Sequence, residues 1–127
     1  MIDVAKYVGI RYRPGGKGPA GCDCWGLVRW FYSDMGYRLP VFGVGEYRTK
    51  EGISKIISEL LEVEKFISSD TPPYIAVLAK NGVDADHVGI VFQIGRILHA
   101  NKGTCSQNNI LLDWESQIIG RYRWSKQ

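Results

Sequence analysis

The stretch that decides the fold is Gly21-Cys22-Asp23-Cys24-Trp25-Gly26-Leu27-Val28-Arg29-Trp30-Phe31-Tyr32. It follows a loop rich in glycine and proline from Pro14 to Gly21. Asp23 is placed as a helix N-cap, because its carboxylate can accept from N–H groups that a first turn leaves without helical partners. Beyond it, Cys24, Leu27, Val28, Phe31 and Met35 recur at the spacing of one helical face, while Arg29, Ser33 and Asp34 fall off it. Trp25, Trp30 and Tyr32 widen the apolar face, so the helix is predicted to be largely buried and to end near Gly36.

Working outward, Ile2 to Val8 reads as a short helix, and Ile53, Ile56, Ile57, Leu60 and Leu61 form a second helical stripe. Pro72-Pro73 interrupts regular structure, and the texture then changes to strands. These are expected at Tyr74–Leu78, His87–Gln93, Arg96–Ala100, Asn109–Leu112 and Arg121–Trp124. Helices first and a run of hairpin-connected strands after them predict an α+β fold, with one antiparallel sheet packed on the buried helix.

The chain has 127 residues, of which 45 % are hydrophobic and 23 % charged. That is the size and composition of one folded domain, taken as 1–127, and excludes disorder or a coiled coil. Apolar runs such as Tyr74 to Ala79 are far shorter than the roughly 20 residues of a membrane span, so no membrane insertion is expected. No charged stretch followed by an apolar core opens the chain, so no secretion signal is expected either. The net charge is only +3, with no block of like charge and no basic helix, and nucleic acid is not an expected partner. Three cysteines cannot all be paired, and reduced thiols are the default.

Cys24 would occupy the first turn of the helix, where the macrodipole and unpaired N–H groups favour a thiolate. A nucleophilic thiol needs a base, and the base needs a group to orient it. The chain has two histidines, His87 and His99, both in the strand half. If their strands are joined by a three-residue loop, Gln93-Ile94-Gly95, His99 lies opposite Gly89 and is the diagonal neighbour of His87 on the same face. Gly95 suits the left-handed position of such a loop, and Gly89 leaves space between the rings. A two-residue turn would put the histidines on opposite faces instead.

These segments, Asp23-Cys24-Trp25-Gly26-Leu27-Val28, His87-Val88-Gly89-Ile90 and Ile97-Leu98-His99-Ala100, resemble the NlpC/p-sixty superfamily of papain-like cell-wall cysteine peptidases. Tyr12, ahead of Gly15-Gly16, fills the place of a tyrosine that the family carries before its cysteine. The resemblance implies a papain-like fold with Cys24 as nucleophile, His87 as general base and acid, and His99 orienting His87. It also implies Tyr12, Asp23 and Trp25 as substrate-binding residues, the Cys24 N–H as an oxyanion donor, and no metal or cofactor. The implied substrate is the peptidoglycan stem peptide, cut between D-glutamate and the diamino acid. Trp25 stands where many bacterial members have serine, which implies a reshaped pocket for a free amino end. Together with Gly120-Arg121-Tyr122-Arg123-Trp124, it resembles the compact form carried in phage and prophage tails. That form implies other tail proteins as partners, and a location in the virion tail, or in the bacterial cytoplasm before assembly, with action on the cell wall.

Three other readings stand beside this one. A zinc site from Cys22, Cys24, His87, His99 and Cys105 is disfavoured, since Cys-x-Cys and the wide histidine gap are not the usual ligand spacings. Cys22 and Cys105 are expected to be spectators, with a disulfide between them left open. A structural tail-assembly protein without activity is the main rival, and a thiol amidase or acyltransferase on the same scaffold is the third.

Overall fold

The computed structural model describes residues 3–40, 50–62, 66–101, 103 and 105–124. Helix α1 spans Cys24–Asp34 and α2 spans Lys50–Glu62. The strands are β1 Lys17–Gly18, β2 Gly21–Cys22, β3 Phe66–Ser68, β4 Tyr74–Leu78, β5 His87–Gln93, β6 Arg96–His99, β7 Gln107–Ile110 and β8 Ile118–Trp124. The architecture is α+β, as expected. One antiparallel sheet of six strands has the order β3-β8-β4-β5-β6-β7, and β1 and β2 form a separate two-stranded ribbon.

Alternation along the central strands sorts their side chains onto two faces. Ile75, Val77, Val88, Ile90, Phe92 and Leu98 join the buried face of α1, including Leu27, Val28 and Phe31, in the main core. Tyr74, Ala76, Leu78, Val91, Ile97 and Leu111 form a smaller cluster with Trp114 on the other face. All five residues of β4 are therefore buried, and such a strand needs a neighbour on each side. This is why the last strand does not continue the hairpin order: β8 crosses back to pair with β4, and β3 then pairs with β8.

Several boundaries differ from the expected ones. The opening helix shrinks to a single 3₁₀ turn, Ala5–Tyr7, with residue 2 outside the described part. β7 lies two residues earlier than expected, because Leu111–Asp113 turns into a 3₁₀ segment and buries Leu111. β8 begins at Ile118, ahead of the expected Arg121. In α2 the buried stripe is Ile56 and Leu60 with Ile57 half-buried, while Leu61 is exposed and the Ile53 side chain lies outside the described part.

Candidate active site

Asp23 caps α1 as expected: its Oδ1 accepts from the Gly26 N–H at 2.7 Å. Its other oxygen accepts from the Gly15 N–H at 2.6 Å, which ties the glycine-rich loop to the first turn. Gly26 permits that approach, because a Cβ there would lie 1.7 Å from the Gly16 carbonyl oxygen. Cys24 is thus held at the first helical position by contacts on both sides of the chain. Tyr12 is brought to it by a bridge to Cys22, with the Arg13 N–H donating to the Cys22 carbonyl at 3.1 Å.

The histidines arrive on the sheet. His87 is the first residue of β5 and His99 the last of β6. Their register follows from Ile90 pairing with Leu98, which sets Gly89 opposite His99. The route to it is not the expected three-residue loop. Gln93 pairs with Arg96 across a two-residue turn, Ile94-Gly95, and the register shifts by one residue between Ile90 and Gln93. Val91 and Phe92 there oppose Ile97 alone, a bulge that undoes the face reversal a two-residue turn would impose. Gly95 does adopt the left-handed region, with φ +81°. A Cβ at Gly89 would meet the His99 Cβ at 3.2 Å, so a side chain there would press on His99 unless it shifted by a few tenths of an ångström.

His87 Nε2 lies 3.4 Å from His99 Nδ1. His99 is 1 % exposed, its ring centroid 4.3 Å from that of Trp114. Two residues not among the expected site residues complete its surroundings. Asn109 Oδ1 is 2.6 Å from His99 Nε2, and Asn101 Nδ2 is 3.3 Å from His99 Nδ1. The only hint of Asn109 in the sequence is the polar run Gln107-Asn108-Asn109 inside a strand, which does not say which of the three reaches a histidine. Burial first, then the neighbouring His99 and Lys80, pulls His87 down to about 3. Burial also lowers His99, opposed by its bond to Asn109. Both rings are therefore neutral at neutral pH.

Cys24, His87, Tyr12, Lys80, Asp86, Ala100 and Asn101 line one cleft of about 390 Å³. Cys24 comes from the helix face of the sheet and His99 from the Trp114 face, so the cleft lies over the end of β5 and β6. Asp23 and Trp25 do not line it. Asp23 is 1 % exposed, with both carboxylate oxygens bound to backbone, and Trp25 is buried with its indole N–H donating to the Pro40 carbonyl at 3.0 Å. Cys22 is buried, its thiol pushed up to about 11 by burial and by Asp23, and Cys105 is exposed; neither is in a disulfide. No helix among the described residues is long and apolar enough to cross a membrane.

A cysteine opening a helix that lies on an antiparallel sheet, with two histidines at the sheet's end, is the papain-like layout. The NlpC/P60 family matches residues 9–121, and the chain belongs to that family. It is 26 % identical over 121 residues to the "Probable endopeptidase p60" of Listeria innocua, covering 94 % of this chain and 23 % of that protein. The chain thus spans less than a quarter of the length of that relative. Among solved structures, it resembles the NlpC/p60 domain of the peptidoglycan hydrolase SagA at TM-score 0.63 and 21 % identity, covering 93 % of this chain and 90 % of that one. NlpC2 from Trichomonas vaginalis superposes at TM-score 0.66 and 20 % identity over 95 % of this chain and 44 % of that one. These two likenesses show the fold.

Proposed function

We propose that the chain is the catalytic domain of a cysteine endopeptidase that cleaves peptidoglycan stem peptides. The observation that carries this reading is His87: it lines the same cleft as Cys24, and its Nε2 is turned to His99. Nδ1 is the nitrogen left to take the thiol proton. The Cys24 sulfur then attacks the scissile carbonyl carbon, and the oxyanion is met by the Cys24 N–H at the helix's first turn. Collapse breaks the C–N bond, with His87 passing the proton to the departing amine. Water, deprotonated by the same nitrogen, hydrolyses the thioester and frees the thiol. Tyr12 lines the cleft where it can contact the peptide, whereas Asp23 and Trp25 act by building the helix start rather than by touching substrate.

The reaction class is supported by the family and by the likeness to the Listeria endopeptidase p60, and the substrate class by the likeness to the peptidoglycan hydrolase SagA. The D-glutamyl–diamino acid bond is supported by the motif resemblance, as is carriage on a phage or prophage tail, which rests on the Asp23-Cys24-Trp25-Gly26 variant and the Gly120–Trp124 segment. Mass spectrometry of purified peptidoglycan digested with the protein, beside a Cys24→Ala control, tests the chemistry. New termini at that bond, absent from the control, are expected. Amine-capped products would identify an acyltransferase, and identical patterns would overturn the enzymatic reading in favour of a structural tail role.

A further inference from the structure

We propose that Asn109 is a positioning residue whose side-chain oxygen selects, through His99, the tautomer of His87 that can accept the Cys24 proton. The inference rests on the reading of Cys24 and His87 as nucleophile and base. A neutral imidazole carries one N–H and one lone pair. Two neutral rings meeting through His87 Nε2 and His99 Nδ1, 3.4 Å apart, therefore have two concerted arrangements. In one, His87 Nε2–H donates and His87 Nδ1 holds a lone pair. In the other, His99 Nδ1–H donates, His87 Nδ1 already carries its proton, and the base is blocked. Nothing within the pair chooses between them.

The choice is made at the far side of His99. Its Nε2 lies 2.6 Å from Asn109 Oδ1, an atom that can only accept, so Nε2 carries the hydrogen. Nδ1 is then bare, and the contact to His87 runs in the productive direction. Asn101 Nδ2, 3.3 Å from the same Nδ1, agrees, but it is the longer contact and shares that single lone pair with His87, so the 2.6 Å bond of Asn109 decides the tautomer. The sheet makes this reach possible. On β7, Gln107 sits directly across from His99, and Asn109 sits opposite Ile97 on the same face, diagonal to the ring. An amide orients the ring without placing a charge beside a histidine that is 1 % exposed. Trp114, packed against the His99 ring, covers it on another side.

The test reads tautomers directly, by long-range ¹H–¹⁵N correlation on histidine-labelled protein at neutral pH. His99 should be protonated at Nε2 and bare at Nδ1, and His87 likewise. A proton on His99 Nδ1 overturns the proposal, whatever the variants do. In Asn109→Leu, His87 should show mixed tautomers, kcat on peptidoglycan fragments should fall about tenfold or more with KM little changed, and Cys24 alkylation should slow similarly. Asn109→Asp keeps an acceptor at that place and should restore the single tautomer. If Asn109→Leu retains wild-type tautomers and alkylation rate, Asn109 only closes the sheet edge and the proposal fails. If tautomers and alkylation respond as stated but neither protein cleaves peptidoglycan, the hydrolase reading fails and the assignment of Asn109 stands.

Discussion

Replacing Asp23 separates a residue that builds the site from one that touches substrate. Its carboxylate is 1 % exposed and accepts two backbone N–H bonds, from Gly26 at 2.7 Å and Gly15 at 2.6 Å. Hydrogen bonds to a charged group are worth about 1.5–3 kcal/mol each, and loss of an N-cap alone costs about 0.5–2 kcal/mol. The two overlap at Gly26, so Asp23→Ala should cost about 3 kcal/mol. For a chain of this length each kcal/mol moves Tm by roughly 4 °C, giving a drop of roughly 12 °C. Asp23→Asn keeps one accepting oxygen but turns an NH₂ toward the other N–H, and should lose about half as much. Thermal unfolding followed by circular dichroism measures both, alongside kcat and KM on stem peptides. Activity should fall in proportion to the fraying of the first turn, mainly through kcat. If Asp23→Asn left Tm within about 1 °C while KM rose about tenfold or more, Asp23 would be a substrate contact and its structural assignment wrong.

If Cys24 and His87 are nucleophile and base, Cys24→Ala and His87→Ala should each lower peptidoglycan cleavage by about 10³-fold or more with Tm nearly unchanged, and His99→Ala should cost less. Retained cleavage in Cys24→Ala would assign the activity elsewhere. Iodoacetamide near pH ~6.5 should modify Cys24 well before Cys105, and Cys22 last, since that thiol is buried and raised to about 11. Peptide mapping showing equal labelling of Cys24 and Cys105 would remove the argument from the helix start. Stability should also depend on pH in a definite direction. His87 and His99 are held below their ordinary range when folded, so between about 6.5 and about 3 the unfolded chain binds more protons. Their contribution is fully present above that window and is lost as pH falls through it. Urea unfolding at pH ~7 and ~5, above the main carboxylate range, should give a lower midpoint at the acid end, and His87→Gln should flatten the difference. A midpoint that rises on acidification would contradict the neutral pair.

Local motifs made the cleft's Cys24 and His87 legible, and long-range packing hid the groups that contact His99. An N-cap, a glycine-rich approach and an i, i+3, i+4 stripe are contained within the 22 residues from Pro14 to Met35, so α1 and Cys24 could be read directly. The pairing of Gly89 with His99 was also reached, but by a loop the protein does not use. The actual two-residue turn is reconciled with it by a bulge at Val91 and Phe92, both of them buried, in the clusters on opposite faces of the sheet. Such a bulge is a matter of pairing between whole strands, and no local spacing encodes it. Trp25 and Asp23, expected at the substrate, lie outside the cleft lining for a related reason: they adjoin Cys24 in sequence, yet successive residues on a helix point about 100° apart. Trp25 therefore turns into the core when Cys24 turns to the cleft, and Asp23, at the cap, bends back to the backbone. Asn109 is the converse. It lies 85 residues from Cys24 along the chain and becomes adjacent to His99 only through the register of β6 with β7, which no motif around Cys24 or His87 could disclose.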